Sequence, residues 1–165
     1  IERQHAVNFT LWHVEDEARQ RDVGPEVIAQ CKRDIDGFNQ RRNDLIEKLD
    51  RCLVALVSPL LPQDAAKRYN TETLGSVCDR LSILSLKIYH MDEQARREDA
   101  PEKQRQECAG KLEVLLEQRT DLQTSGQELL EDYVAGRKQP KIYYQFKMYN
   151  DPRLNPKLYA QGDAS

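Results

Sequence analysis

The run Asp34-Ile35-Asp36-Gly37-Phe38-Asn39-Gln40-Arg41-Arg42-Asn43-Asp44-Leu45-Ile46-Glu47-Lys48-Leu49-Asp50 places its apolar residues in alternating steps of three and four. Extended in both directions the seam reads Ile28, Cys31, Ile35, Phe38, Leu45, Leu49, Cys52 and Leu56, the spacing of one face of a long α-helix. One position breaks it. Arg42 points within about 20° of the middle of the seam. A guanidinium there must meet carboxylates, carbonyls or a bound anion, because burying it unpaired costs several kcal/mol. Gly24-Pro25 opens this helix and Ser58-Pro59-Leu60-Leu61-Pro62 breaks it, so it covers 25–57 and is about 50 Å long.

Upstream, residues 3–22 predict a first helix with an aliphatic face of Val7, Leu11, Val14 and Ala18. Its opposite side carries Trp12, His13, Asp16 and Arg19 beside Phe9, at i+3 and i+4 spacing. Large aromatics beside charges on a non-core face predict a second contact surface. Downstream, a short helical piece is expected over 63–69, then caps in Asn70-Thr71-Glu72-Thr73 and a third helix over 74–97. Its seam is Leu74, Val77, Leu81, Leu84, Ile88 and Met91, with Ile83 and Leu86 on another side next to Asp79 and His90. A helix apolar on two sides is central in a bundle or touches a second subunit. Pro101 opens a fourth helix with the seam Cys108, Leu112, Leu115, Leu122, Leu129 and Tyr133, and Gly136 is its natural cap. Arg119 interrupts this seam as Arg42 interrupts the other.

Short connections between helices favour antiparallel neighbours, so the expected fold is all-α: an up-down-up-down four-helix bundle of long helices over 1–136. An irregular, basic and aromatic C-terminal tail follows over 137–165. Four of the seven tyrosines lie there, with Arg137, Lys138, Lys141 and Lys147. Residues 141–149 alternate at strand period but also suit a helix through Ile142, Phe146 and Tyr149, and both readings stay open. The tail is expected to pack over the bundle, on the Phe9/Trp12 face. Antiparallel stacking brings Arg42, Arg80 and Arg119 to one layer, about 26 Å along their helices, with Asn39, Asn43, Asp36 and Asp79 within a turn. Such a layer is either a closed ion-pair network that fixes register or a site where arginine forks and amides hold a phosphate or carboxylate.

The bulk properties fit one domain. At 165 residues the chain can bury a proper core, and its net charge of −3 gives no general attraction to nucleic acid or membranes. No run approaches the roughly 18 apolar residues of a membrane span. The sequence starts at Ile1 rather than Met, so a trimmed upstream segment is expected and the lack of a signal peptide weighs little. Cys31, Cys52, Cys78 and Cys108 have no CxxC spacing; reduced structural thiols and a cytoplasmic location are expected. His13 with Asp16, and His90 with Glu93, have one-face spacing. No core-facing carboxylate pair accompanies them, so neither metal nor cofactor is expected. No motif for nucleophilic catalysis occurs, which leaves Asp79, His13 and His90 as the candidate acids or bases.

Several runs carry a family resemblance: Trp12-His13-x-x-Asp16-x-x-Arg19, Ile35-Asp36-x-x-Asn39-Gln40-Arg41-Arg42-Asn43-Asp44 and Glu72-Thr73-Leu74-Gly75-Ser76. They continue with Asp79-Arg80-Leu81-Ser82-Ile83-Leu84, Lys87-Ile88-Tyr89-His90-Met91 and Phe146-Lys147-Met148-Tyr149-Asn150-Asp151-Pro152. In these the chain resembles a bacterial family known as domain of unknown function 4254, over nearly its whole length. Leu74 departs from the pattern, where a proline is expected. The resemblance implies that Trp12, His13, Asp16, Arg19, Asn39, Arg42, Asn43, Asp79, Arg80 and His90 form a set, joined by Lys87, Lys147 and Asn150. It also implies a link to sugar phosphates or nucleotide sugars. A weaker similarity, Ile35-Asp36-x-x-Asn39-x-x-Arg42, is to the first helix of all-helical chorismate mutases. The expected function is binding of a small anionic metabolite at the Asn39, Arg42, Asn43, Asp79, Arg80, Arg119 layer. The alternative is a non-enzymatic interaction module, self-associating or not, that acts through the third helix or the tail.

Overall fold

A computed structural model describes residues 1–159 of the chain. The last part of the expected tail, 160–165, lies outside the described residues. The described residues form helices without a strand: α1 (Glu2–Glu17), α2 (Pro25–Val57), α3 (Leu74–Ala95), α4 (Glu102–Val134) and the single-turn α5 (Pro156–Tyr159). The fold is all-α. Pro25 sits in the first turn of α2, and Thr73 caps α3 by accepting a hydrogen bond from the Ser76 N–H at 3.1 Å. α1 stops five residues short of its predicted end. Arg19 folds back onto the carbonyl and carboxylate of Glu15, and the Arg19 and Gln20 N–H groups tighten into i−3 bonds.

The helical piece expected over 63–69 is a loop. Its backbone is satisfied elsewhere: the Ala66 N–H donates to the Gly136 carbonyl, and the Arg68 carbonyl accepts from the Gln139 N–H, each at 2.8 Å. Gly136 makes this possible with φ of 70°, while the Arg137 N–H reaches back to the Asp132 carbonyl in a Schellman closure of α4. From 140 to 147 the tail has neither strand nor helix, and only a short 3₁₀ turn, Met148–Asn150, precedes α5. It crosses α2, where the Gln145 N–H donates to Glu47 at 3.0 Å, rather than the Phe9/Trp12 face of α1.

α3 is the central element, as its two apolar sides predict. One side packs Val77 and Leu84 against Leu122 of α4, with Leu81, Ile88 and Leu115 around them. The other side, with Asp79, Ser82 and Leu86, meets α1 and α2. A second cluster joins Val57, Leu74, Leu129 and Tyr133 at the far end of α2. α1, α2 and α3 pack mutually, whereas the extensive helix partner of α4 is α3. Along α2 the predicted seam fails at its end. Cys52 is exposed and Leu56 is 69% exposed, while Asp50, Leu53 and Val57 turn inward. A strict 3.5-residue repeat drifts about 20° per heptad around a 3.6-residue helix, so four heptads carry the seam about 80° off the core.

Candidate functional site

Two carboxylates fix the approach of α2 and α3. Asp50, 3% exposed, accepts hydrogen bonds from the Thr73 hydroxyl and the Gly75 N–H, each at 2.7 Å, and so caps the first turn of α3 from across the interface. Burial pushes its carboxyl above the ordinary carboxylate range, against the pull of these two donors. One turn further along α3, Asp79 is 2% exposed and receives Arg42. The Arg42 Nε lies 3.0 and 3.1 Å from the two carboxylate oxygens, and Nη2 closes the fork. From α1, the Gln4 amide and the Asn8 amide (3.0 Å) donate to the same carboxylate. Burial alone would raise Asp79, but the donors from Arg42, Asn8 and Gln4 prevail and hold it below its ordinary value.

The network extends to Ser82, whose hydroxyl meets Asn8 at 3.1 Å and the His5 Nδ1 at 2.9 Å. Because a carboxylate only accepts, both amides must turn their nitrogens to Asp79, which fixes their orientation. Their oxygens, Gln4 Oε1 and Asn8 Oδ1, are then buried without partners among the described residues. Above Arg42 opens a cleft of about 390 Å³ between α1, α2 and α3. Asn39 and Arg42 line it from α2, Asn8, Trp12 and Asp16 from α1, Arg19 from the turn that follows α1, and Ile83 and Leu86 from α3. Arg42 is thus shared: Nε and Nη2 are spent on Asp79, while Nη1 donates to no residue among those described. The Arg42 side chain is 27% exposed.

Beside the cleft lies an aromatic cluster. Trp12 stacks on His90 with ring centroids 4.9 Å apart, and the His13 ring meets His90 edge-on at 5.9 Å. The His90 Nδ1 pairs with Glu93 at 3.0 Å. His13 is exposed, and the two histidines meet as packed rings. Among the described residues no group of three or more His, Cys, Asp or Glu side chains could hold a metal ion.

The two residue sets read separately from the sequence converge on this one cleft through Asn39 and Arg42 on one side and Trp12, Asp16 and Arg19 on the other. Asp79 lies beneath as the partner of Arg42. Asn43 is half-buried on α2 and does not line the cleft. The three-arginine layer does not assemble. Arg80 is exposed, pairs with Glu72, and lines a separate groove of about 540 Å³ between α3 and α4 with Lys87. Arg119 is exposed on the opposite flank of α3 and α4, beside Tyr89. Equal depth along an axis says nothing about azimuth, and α4 docks on the side of α3 facing away from α2. Sequence reasoning missed Gln4, Asn8, Ser82 and Asp50. The available signal was polar residues one turn apart inside an apolar stripe, Gln4-x-x-Val7-Asn8-x-x-Leu11.

No curated protein matches the chain, and no solved structure does. A family model does, over residues 1–142, most of the chain. The residues of the cleft and of the buried network all fall within that match, and the chain belongs to the family described as Protein of unknown function (DUF4254).

Proposed function

We propose that the α1–α2–α3 cleft binds a small polar metabolite carrying a single carboxylate or phosphate. The observation that carries this reading is the split use of Arg42, which Asp79 holds rigidly through one edge while Nη1 remains undonated beside the cleft. A guanidinium locked by a buried carboxylate is pre-organised, so little side-chain entropy is lost when an anion docks. Asn39 and Arg19 add donors, and Trp12 offers an apolar wall. Asp16 and Glu15 set the limit. They line the same cleft, so its arginines are largely offset, and a monoanion with hydroxyl or amine donors suits it better than a polyphosphate. A sugar monophosphate or a hydroxy acid meets these terms.

The same proposal takes the four long helices as an up-down-up-down bundle over 1–136 with the tail, 137–165, packed on it, acting in a reducing cytoplasm. Gln4 meeting Asp79 while Trp12 meets His90, and Arg42 meeting Asp79 while Asp50 meets Gly75, support those directions. The test is calorimetric and thermal. A ligand at about 100 times its Kd stabilises by about 2.7 kcal/mol, which is about 5–10 °C for a chain of this size. Asn39→Leu should abolish the shift and leave the unliganded melting temperature nearly unchanged. If no sugar monophosphate, hydroxy acid or amino acid stabilises the wild type, or if Asn39→Leu responds equally, the reading fails.

A second reading, contact with a partner through the tail, is supported by Phe146, which is 78% exposed, and by its exposed neighbours Tyr144, Met148 and Tyr149. The third helix offers less for that role: its two apolar sides pack within the chain, and its exposed aromatic is Tyr89.

A further inference from the structure

The helix α4 carries more apolar surface than α3 covers. Leu116, Leu130 and Val134 lie outside the stripe that packs on α3, at 36%, 40% and 62% exposed, and the half-buried Leu112 lies at the edge of that stripe beside Ile88 and Tyr89. Leu112 and Leu130 are about five turns apart, as are Leu116 and Val134, so at 3.6 residues per turn each pair is in line, and the two pairs, about 40° apart, form one narrow strip along the helix. Arg119 belongs to the same strip, which explains why an arginine at a predicted seam position is exposed: nothing among the described residues packs over it. Among those residues Arg119 makes no ion pair. The α3 residues Ser85, Ile88 and Tyr89 continue the surface beside Leu112 and Leu116, around a shallow hollow of about 360 Å³.

The strip is symmetric about Gln123. Leu112 and Val134 are equally distant from it, as are Leu116 and Leu130, and Arg119 and Gln127. A strip that reads the same from both ends is self-complementary under a two-fold axis, the symmetry of most soluble homodimers. We propose that α4 is a homodimer interface, packing antiparallel on the α4 of a second copy with the axis at Gln123. In that register Leu112 meets Val134 and Leu116 meets Leu130 at both ends. Arg119 then faces Gln127, whose amide is bonded to Glu131 at 3.1 Å one turn along. The guanidinium thus gains a carboxylate from the second copy. The strip is about 33 Å long and one helix, about 10 Å, wide, and Ser85 and Tyr89 widen it to about 20 Å over its Leu112–Arg119 half; on the order of 500 Å² per copy reaches the ~1,000 Å² in total that a biological interface needs.

Charge-swap variants of the full chain test the register. Sedimentation velocity of the wild type should show a monomer–dimer equilibrium with a Kd in the range of about 1–10 µM. Leu116→Asp alone and Leu130→Lys alone should each weaken self-association roughly 100-fold, because each buries an unmatched charge against leucine. Mixed together, they should restore a heterodimer, since the aspartate of one copy meets the lysine of the other while the second pair stays leucine on leucine. Gln123→Cys should cross-link to itself on mild oxidation, and Gln118→Cys, well round the helix, should not. Circular dichroism on each variant checks that the fold survives. A wild type that stays monomeric at about 100 µM overturns the proposal. So does a dimer that survives Leu116→Asp but is lost in Phe146→Ser, or a mixture that fails to re-associate.

Discussion

Replacing Gly75 by alanine should destabilise the protein, although helix propensity alone says the opposite. Alanine inside a helix is worth about 0.5–1 kcal/mol over glycine. At Gly75, however, a Cβ would lie 2.6 Å from the Asp50 Oδ1, 2.8 Å from its Cγ and 2.8 Å from the Ile46 carbonyl oxygen. Two of these atoms belong to a carboxylate held by Thr73 and Gly75 itself, and the third is α2 backbone, so none gives way freely. Overpacking of this kind costs about 1–3 kcal/mol, and loss of the hydrogen bond from the Gly75 N–H to a charged acceptor adds about 1.5–3 kcal/mol. Offset by the propensity gain, the net loss is about 1.5–5.5 kcal/mol, or a fall in melting temperature of about 3–22 °C. Gly37 is the control. It lies inside α2 with nothing within 4 Å of the point a Cβ would occupy, so Gly37→Ala should raise the melting temperature by about 2–4 °C. Both variants would be melted under one set of conditions by circular dichroism. A Gly75→Ala protein as stable as wild type would show that α2 and α3 do not approach as closely as described, and the Arg42–Asp79 geometry one turn away would fall with it.

Other outcomes follow from the buried network. Arg42→Ala leaves the Asp79 carboxylate without its ion-pair partner and should cost about 3–5 kcal/mol; in a double-mutant cycle with Asp79→Asn by denaturant unfolding, the two losses should be strongly non-additive. The pH dependence has a definite sign. Asp79 is held below its unfolded value of about 3.9, so its stabilisation is complete above that pH and is lost as pH falls through the folded pKa; Asp79→Asn should flatten the acid limb of a stability–pH curve. Asp50 is raised, so it works in the opposite sense, costing stability as pH rises from about 4 through its folded pKa; chemical denaturation should therefore show stability rising with pH below about 4, from Asp79, and an opposing downward contribution from Asp50 above it. Tyr133, 2% exposed, is pushed up to about 12 by burial and by Asp50; ultraviolet titration of the folded protein should find one tyrosine ionising last, with stability falling between pH 10 and 12.

Much of the architecture was legible because helices announce themselves locally. The Gly24-Pro25 and Pro101 starts, the Thr73 cap and the seams of α3 and α4 are statements about nearest neighbours and turn periodicity, and each predicted a helix that the chain adopts. The family, too, was legible in short motifs. Arg42 as a half-buried, partnered guanidinium followed from one residue standing at a seam position, and Asp79 was among the carboxylates at its height. What failed was what needs an azimuth or a partner. A repeat read as straight carried Cys52 and Leu56 into the core, when helix drift puts them in solvent. Residues 63–69 looked helical, and only their bonds to Gly136 and Gln139, more than 60 residues away in sequence, made them a loop.

The sequence by itself determined where helices begin and end, which faces are apolar, and that a cation must be answered inside. Those are short-range properties, set by backbone sterics, capping and the period of hydrophobic residues. Which groups answer that cation was decided only in three dimensions. The rotation of α3 about its axis points Asp79 at Arg42 and sends Arg80 to an outer flank, while the docking of α4 leaves Arg119 on the other. The docking of α1 then adds Gln4 and Asn8 to the network and sets Trp12, Asp16 and Arg19 around the cleft. Helix rotation is fixed by side-chain packing summed over a whole interface, a quantity that no window of one sequence contains.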